Sequence, residues 1–255
     1  MQKRNTQQRR MAILEHLAAH GEVQVDDLAE QFSTSQVTIR KDLAALEEAG
    51  ELVRKFGGAV STQKASDEHS VEKLSKRKLA IAYAAAKLLK DNNRIIIDSG
   101  STTSALLPLL KARSGLLVMT NSMNVSNYLL SQENPPKLLM TGGSWDTQSH
   151  SFQGRMAEQV LRSYNFDQAF LGAAGLDLAR GTTTYNELTQ LSQVMAEVSA
   201  QVIVMAESSK LQHKIPNVEL PWKSISVLVT DDEISAEAKQ QIEQHGVAVI
   251  CARPL

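Results

Sequence analysis

The chain has 255 residues, 42% hydrophobic and 22% charged, with a formal net charge of −1, a balance ordinary for a folded chain of one large domain or two smaller ones. Near-neutral charge excludes a global basic field, so any nucleic-acid contact has to come from a local patch. One cysteine (Cys251), six histidines in no ligand-spaced pair and no apolar run of the about 18–20 residues that spans a bilayer exclude a disulfide framework, a thiolate zinc site and a membrane segment, and a cytoplasmic protein without cofactor or metal is expected.

The first stretch, MQKRNTQQRR, lacks the apolar core of a signal peptide and reads as either a solvated tail or a phosphate-contacting arm. Met11, Ile13, Leu14 and Leu17 recur at helical spacing and predict an apolar helix face that Gly21 ends. Val23 and Val25 flank Gln24 as a short alternating strand, and Asp26 is placed to cap a helix over 27–32. After a Ser33-Thr34 turn, Ser35 caps a further helix in which Ile39, Leu43 and Leu46 share the inward face. Gln36, Val37, Arg40, Lys41 and Ala44 fall on the opposite side. That is a base-reading assortment: arginine and lysine for guanine or phosphate, glutamine for adenine, small apolar groups for a thymine methyl. Ser35 and Thr38 stand at the helix start, where free N–H groups favour a phosphate. Leu52-Val53-Arg54-Lys55-Phe56 reads as a strand that Gly57-Gly58 turns back, a wing bearing Arg54 and Lys55.

Residues 1–60 hold eight basic against nine acidic side chains, so segregation of charge carries the DNA reading. The expected DNA contacts are Ser35, Gln36, Val37, Thr38, Arg40, Lys41, Arg54, Lys55, Gly57 and Gly58. The alternative is an ordinary helical subdomain with a solvated charged face.

Residues 61–77 are polar and read as a linker. Across 78–255, strand patterns at 94–98, 116–120, 137–141, 168–172, 201–206, 226–230 and 247–251 alternate with helical patterns at 75–90, 102–111, 124–131, 155–163, 189–199 and 236–244. That alternation predicts an α/β domain with a largely parallel sheet. Polar residues gather at strand ends: Asp98, Ser99, Gly100, Ser101, Thr102 and Thr103 after the first; Thr120 and Asn121 after the second; Gly142 and Gly143 after the third. Asn186 and Glu187 lie in a later polar loop, and Lys210 follows the 201–206 strand. In open α/β sheets ligands sit at the carboxyl ends of strands, and this set suits a small polyhydroxylated phosphate ester. The hydroxyls at 101–103 read equally as a plain helix cap.

Ser35, Thr38, Ile39, Arg40, Lys41, Asp42 and Leu43, followed by Arg54, Gly57 and Gly58, resemble the recognition helix and wing of the DeoR family of bacterial transcription regulators. Lys41 stands where arginine is common, and Phe56 where a polar residue or histidine is common. Asp98-Ser99-Gly100-Ser101-Thr102, Thr120-Asn121, Gly142-Gly143, Asn186-Glu187 and Ser208-Ser209-Lys210 resemble that family's sugar-phosphate sensor domain, which is similar in fold to ribose-5-phosphate isomerase and CoA transferases. Glu207 replaces a more usual aspartate, and Gly172-Ala173-Ala174-Gly175 replaces a commoner Gly-x-Asp-Gly. The resemblance implies a winged helix-turn-helix over 1–60 and a sensor and oligomerisation domain over 78–255. It implies operator DNA and a phosphorylated sugar or hexitol as partners, nearest in look to glucitol or N-acetylgalactosamine operon repressors. Two recognition helices meeting successive major grooves about 34 Å apart require a homo-oligomer, a dimer or tetramer. The rival is a sugar-phosphate isomerase with an attached DNA-binding module, with Glu187 as base and Asp98 or Lys210 assisting.

Overall fold

The computed structural model describes residues 2–49, 51–55, 58–61, 75–147, 149–184, 189–213 and 215–253. The chain divides into two compact units, Met1–Lys73 and Leu74–Leu255.

In the first unit, helix α1 (Gln2–His20) leads through strand β1 (Glu22–Gln24) into α2 (Val25–Gln31), then α3 (Gln36–Glu48), β2 (Leu52–Lys55) and β3 (Gly58–Ser61). The basic start is therefore helical from Gln2 onward. Gly21, at φ 76°, takes the left-handed turn that ends α1. The strands form an antiparallel sheet of order β1-β3-β2. Ile13, Leu17, Val23, Val25, Leu28, Ile39, Leu43, Leu46, Leu52 and Ala59 make one core. Met11, assigned to the apolar face, is instead 59% exposed, because Ile13 and Leu17 already fill the side of α1 that meets this core. Val25 opens α2 rather than ending a strand, and Gln24 holds the cap position with no side-chain bond; Asp26 and Asp27 sit in the first turn, where they favour the helix dipole.

The second unit is built on a seven-stranded parallel sheet of order β15-β14-β12-β9-β4-β5-β6. Its strands are β4 (Arg94–Ile97), β5 (Leu117–Thr120), β6 (Lys137–Met140), β9 (Phe166–Leu171), β12 (Ser199–Met205), β14 (Val227–Asp231) and β15 (Ala248–Ala252). Each apolar run read as a strand is one of these seven. Such runs mark strands buried on both faces. Along β4, Ile95 and Ile97 enter one core while Ile96 enters the other.

The first face is covered by α4 (Lys76–Ala86), the short α5 (Ser101–Ser104) with the 3-10 turn Leu107–Ala112, and α6 (Met123–Leu130). The second is covered by α7 (Arg155–Arg162), α8 (Gln190–Glu197) and α9 (Ala236–Glu243). Pro108 splits the single helix expected over 102–111, since proline lacks the N–H that would continue it. α4 begins at the Ser75 cap, so 75–77 belong to the second unit and not to a linker; 62–74 lie outside the described residues.

Two antiparallel pieces have no counterpart in the sequence reading: the hairpin β7 (Ser144–Asp146) with β8 (Ser151–Gln153), and a sheet of order β10-β11-β13 made by Gly175–Asp177, Gly181–Thr184 and Asn217–Pro221. Among the described residues no helix is long and apolar enough to cross a membrane.

Candidate functional site

On α3, the Ser35 side chain accepts a hydrogen bond from Thr38 N at 3.2 Å, and the two hydroxyls lie 2.9 Å apart. Ile39, Leu43 and Leu46 are buried, so helical geometry turns Gln36, Val37, Arg40 and Lys41 outward, and all four are exposed. Val37, at 59% exposure, is a branched apolar side chain left in solvent on a polar face. Arg40 Nη2 donates to Gln36 Oε1 at 3.2 Å, one turn away.

Asp42, next in the helix, is 2% exposed and accepts from Arg9 Nε at 2.6 Å and Arg10 Nε at 2.9 Å. Two basic residues of the chain's start thus clamp α1 to α3. Arg54 donates its Nε to Glu47 Oε2 at 2.7 Å and its backbone N to Glu47 Oε1 at 2.9 Å, which ties the wing strand to α3. Gly58 is buried; a Cβ there would lie 1.9 Å from Val23 O. Its glycine is required by packing of β3 on β1. The Lys55 side chain and Gly57 lie outside the described residues.

In the second unit the chain starts in the middle of the sheet at β4, winds out to β6, then returns beside β4 at β9 and winds the other way. The loops after β4 and β9 flank that topological switch point, where a ligand crevice forms in such sheets. Asp98 bridges them. It accepts from Gly100 N at 2.9 Å, from the Thr103 hydroxyl, and across the switch point from Gly172 N at 2.6 Å. Burial raises the Asp98 carboxyl above the ordinary carboxylate range, against the pull of those three donors.

Thr103 is fully buried with its hydroxyl turned to Asp98, and Thr120 is fully buried with Oγ1 accepting from Ser122 N at 3.1 Å. These hydroxyls hold the loops, Thr103 through Asp98 and Thr120 through Ser122 N. Ser101 is exposed, Ser99 and Gly100 are partly exposed, and Thr102 and Asn121 are buried at the same end. Gly142 (φ 60°) and Gly143 (φ 112°) take left-handed conformations, and a Cβ on Gly143 would lie 2.5 Å from Gln153 O. Lys210 lies on the 3-10 turn Ser208–Gln212 that follows β12. Asn186 and Glu187 lie outside the described residues.

Three residues of this region carry no signal in the sequence reading. Lys78 Nζ, from the first turns of α4, lies 3.1 Å from Ser101 Oγ and puts a cation beside the hydroxyl loop. Glu219, on β13, accepts from Ser192 Oγ at 2.7 Å and Thr182 Oγ1 at 3.3 Å. Gln153, on β8, is 6% exposed. The first is far from the loop in sequence, and the other two sit in short strands without a recognisable period.

Two domain families match this chain in order: the DeoR-like helix-turn-helix domain over residues 9–65 and the DeoR C terminal sensor domain over residues 73–232. An Escherichia coli O157:H7 protein named as an aga operon transcriptional repressor is 40% identical, over 96% of this chain and 93% of its own. The transcriptional repressor AccR of Agrobacterium fabrum is 32% identical, over 89% and 90%. The lactose phosphotransferase system repressor of Lactococcus lactis is 29% identical, over 94% and 97%. Among solved structures, ribose 5-phosphate isomerase from Methanocaldococcus jannaschii is 20% identical with a TM-score of 0.40, covering 55% of this chain and 57% of that one. With the helix-turn-helix model matched over residues 9–65, the sensor-domain model over 73–232 and a 40% identical repressor aligned over 96% of the chain, the chain belongs to the DeoR family of DNA-binding transcription regulators.

Proposed function

We propose that this regulator represses a sugar or sugar-alcohol catabolic operon and is released or engaged by a phosphorylated sugar or hexitol. The observation that carries the DNA part is the outward face of α3: Gln36, Val37, Arg40 and Lys41 are exposed on a helix whose other side is locked into the core. The effector part is supported by the loop at Ser99–Thr103 beside the switch point, with Lys78 Nζ at its rim. A cation and open hydroxyls there suit a phosphate group, with the flanking strand ends left for the sugar. The names of the relatives, an aga operon repressor and a lactose phosphotransferase system repressor, support a carbohydrate role. The isomerase reading has less behind it: Asp98 is committed to three donors, and the relatives are named as regulators.

A helix that reads a major groove works in pairs, so the active form is a homo-oligomer. The DNA assignment is tested by Arg40→Ala. Fluorescence anisotropy at fixed salt is expected to show a loss of about 1–3 kcal/mol on operator DNA and a relaxed base preference at one position. Unchanged affinity and base preference would contradict it.

A further inference from the structure

Two buried amide oxygens at the carboxyl end of the sheet have no hydrogen-bond partner: Asn121 Oδ1 and Gln153 Oε1. Asn121, 4% exposed, follows β5, and the register pairs Ile97 with Thr120, so Asn121 stands beside Asp98 on the adjacent strand, a spacing of about 4.8 Å. Strand alternation puts both on the face of Ile96 and Met119. Gln153, 6% exposed, ends β8. The residue before it, Phe152, donates its N to Asn121 O at 2.8 Å and accepts from Asn121 Nδ2 at 3.4 Å. One backbone segment therefore brings the two amides to the same corner.

The direction of each amide follows from proton accounting. Asp146 Oδ2 accepts from Ser149 N and from the Ser149 hydroxyl, so the single Ser149 proton is spent. Ser151 Oγ, 2.8 Å from Ser149 Oγ, must then donate to it. Gln153 Nε2 donates to Ser149 Oγ at 2.9 Å and Ser151 Oγ at 3.3 Å. Turned over, Gln153 would set Oε1 at 2.9 Å from a serine oxygen with no proton to give. Oε1 is thus held away from the serines as a bare acceptor. Asn121 is fixed in the same sense, because its Nδ2 faces the Phe152 carbonyl. Leaving a buried acceptor unmade is costly, and two such acceptors at the carboxyl end of the sheet, the end at which open α/β sheets take ligands, point to donors supplied from outside the chain.

We propose that Asn121 and Gln153 read the hydroxyls of the effector, each amide oxygen accepting a hydrogen bond from the polyol part while the phosphate sits at Ser99–Thr103 beside Lys78. This rests on the phosphosugar reading above and adds the residue that confers selectivity. Amide oxygens that only accept select for hydroxyl donors and discriminate against deoxy and O-substituted analogues. The Asp146–Ser149–Ser151 chain positions Gln153 and touches no ligand.

The test is calorimetric titration of the full chain and of Gln153→Met, which keeps the length of the side chain and removes the acceptor. The probes are inorganic phosphate, glucitol 6-phosphate, galactose 6-phosphate and galactosamine 6-phosphate. The expected result is that one sugar phosphate binds the wild type tighter than inorganic phosphate, and that Gln153→Met cuts this margin about tenfold while inorganic phosphate binds as before. A margin that survives in Gln153→Met overturns the inference and leaves the phosphosugar reading intact; the two amide oxygens then hold an internal water only. Failure of the wild type to bind any of the four ends both. Should Gln153→Met not fold, the wild type is titrated with monodeoxy analogues of its tightest ligand: about tenfold losses at two positions support the proposal, and none overturns it.

Discussion

Glu219 holds its carboxyl between two hydroxyls, Ser192 donating to one oxygen and Thr182 to the other. Burial, reinforced by the nearby charge of Asp98, pushes this carboxyl from 4.5 up to about 7 despite those donors. The folded state therefore binds a proton near neutrality that the unfolded chain has released. The contribution of Glu219 to stability is present below pH 4.5 and is lost as the pH rises through about 7. Glu219→Gln is expected to flatten the melting-temperature profile between about pH 5 and 8, with its largest gain over wild type at the alkaline end. A slope equal to that of wild type in differential scanning calorimetry would show that Glu219 titrates elsewhere. Thr182 precedes and Ser192 follows residues 185–188, so this carboxyl joins the two elements on either side of the Asn186–Glu187 stretch. In sequence it is one acid between Pro216 and Pro221, with nothing to separate it from a surface charge.

At the scale of elements, the Arg9–Asp42–Arg10 clamp decides how α3 is presented. Asp42 is buried while Arg9 and Arg10 are partly exposed, so their loss of a partner is softened by water. Asp42→Ala is expected to cost roughly 1–3 kcal/mol in urea unfolding. It should also weaken operator binding without changing base preference, because it touches the seating of the helix and none of its outward side chains. A shifted preference would mean that Asp42 sits closer to the DNA than its burial implies.

The elements that sequence reading finds are those with strong patterns. The seven parallel strands show as continuous apolar runs because helices cover both faces. α3 is legible through the Ser35 cap and the Ile39, Leu43 and Leu46 stripe. The hairpin 144–153 and the β10-β11-β13 sheet stay hidden because three- to five-residue strands leave too short a sample of any period. The strand-end loops are legible as places but not as roles. Alternation puts the Thr120 side chain into the core beside Val118, and Asp98 spends its oxygens on its own loop and on Gly172. Lys78 and Ser101 meet only through the fold, 23 residues apart.

At the scale of the whole molecule, one chain joins a helix-turn-helix domain to a DeoR-type sensor domain. The start of the second unit is in contact with several strand-end loops at once: Ser75 donates to Glu207, Arg77 pairs with Glu233, and Lys78 reaches Ser101. An anion held at Ser101 gives Lys78 a charged partner in place of a neutral hydroxyl, a differential contact of the kind that allows a ligand to shift an equilibrium. Coupling of that sort is typically worth about 1–3 kcal/mol, a factor of roughly 5–150 in affinity.

The central claim, a DNA-binding regulator governed by a phosphosugar, is tested most directly by anisotropy of the full chain on DNA from upstream of its own and neighbouring genes. The titrations are run at fixed salt, against nonspecific DNA of equal length, with and without sugar and hexitol phosphates. The account predicts specific binding to one fragment, and a shift of at least about fivefold in that affinity by one phosphate ester. Specific binding that no phosphate ester alters would remove the effector half of the claim, and the absence of specific binding at every salt concentration would contradict the claim as a whole.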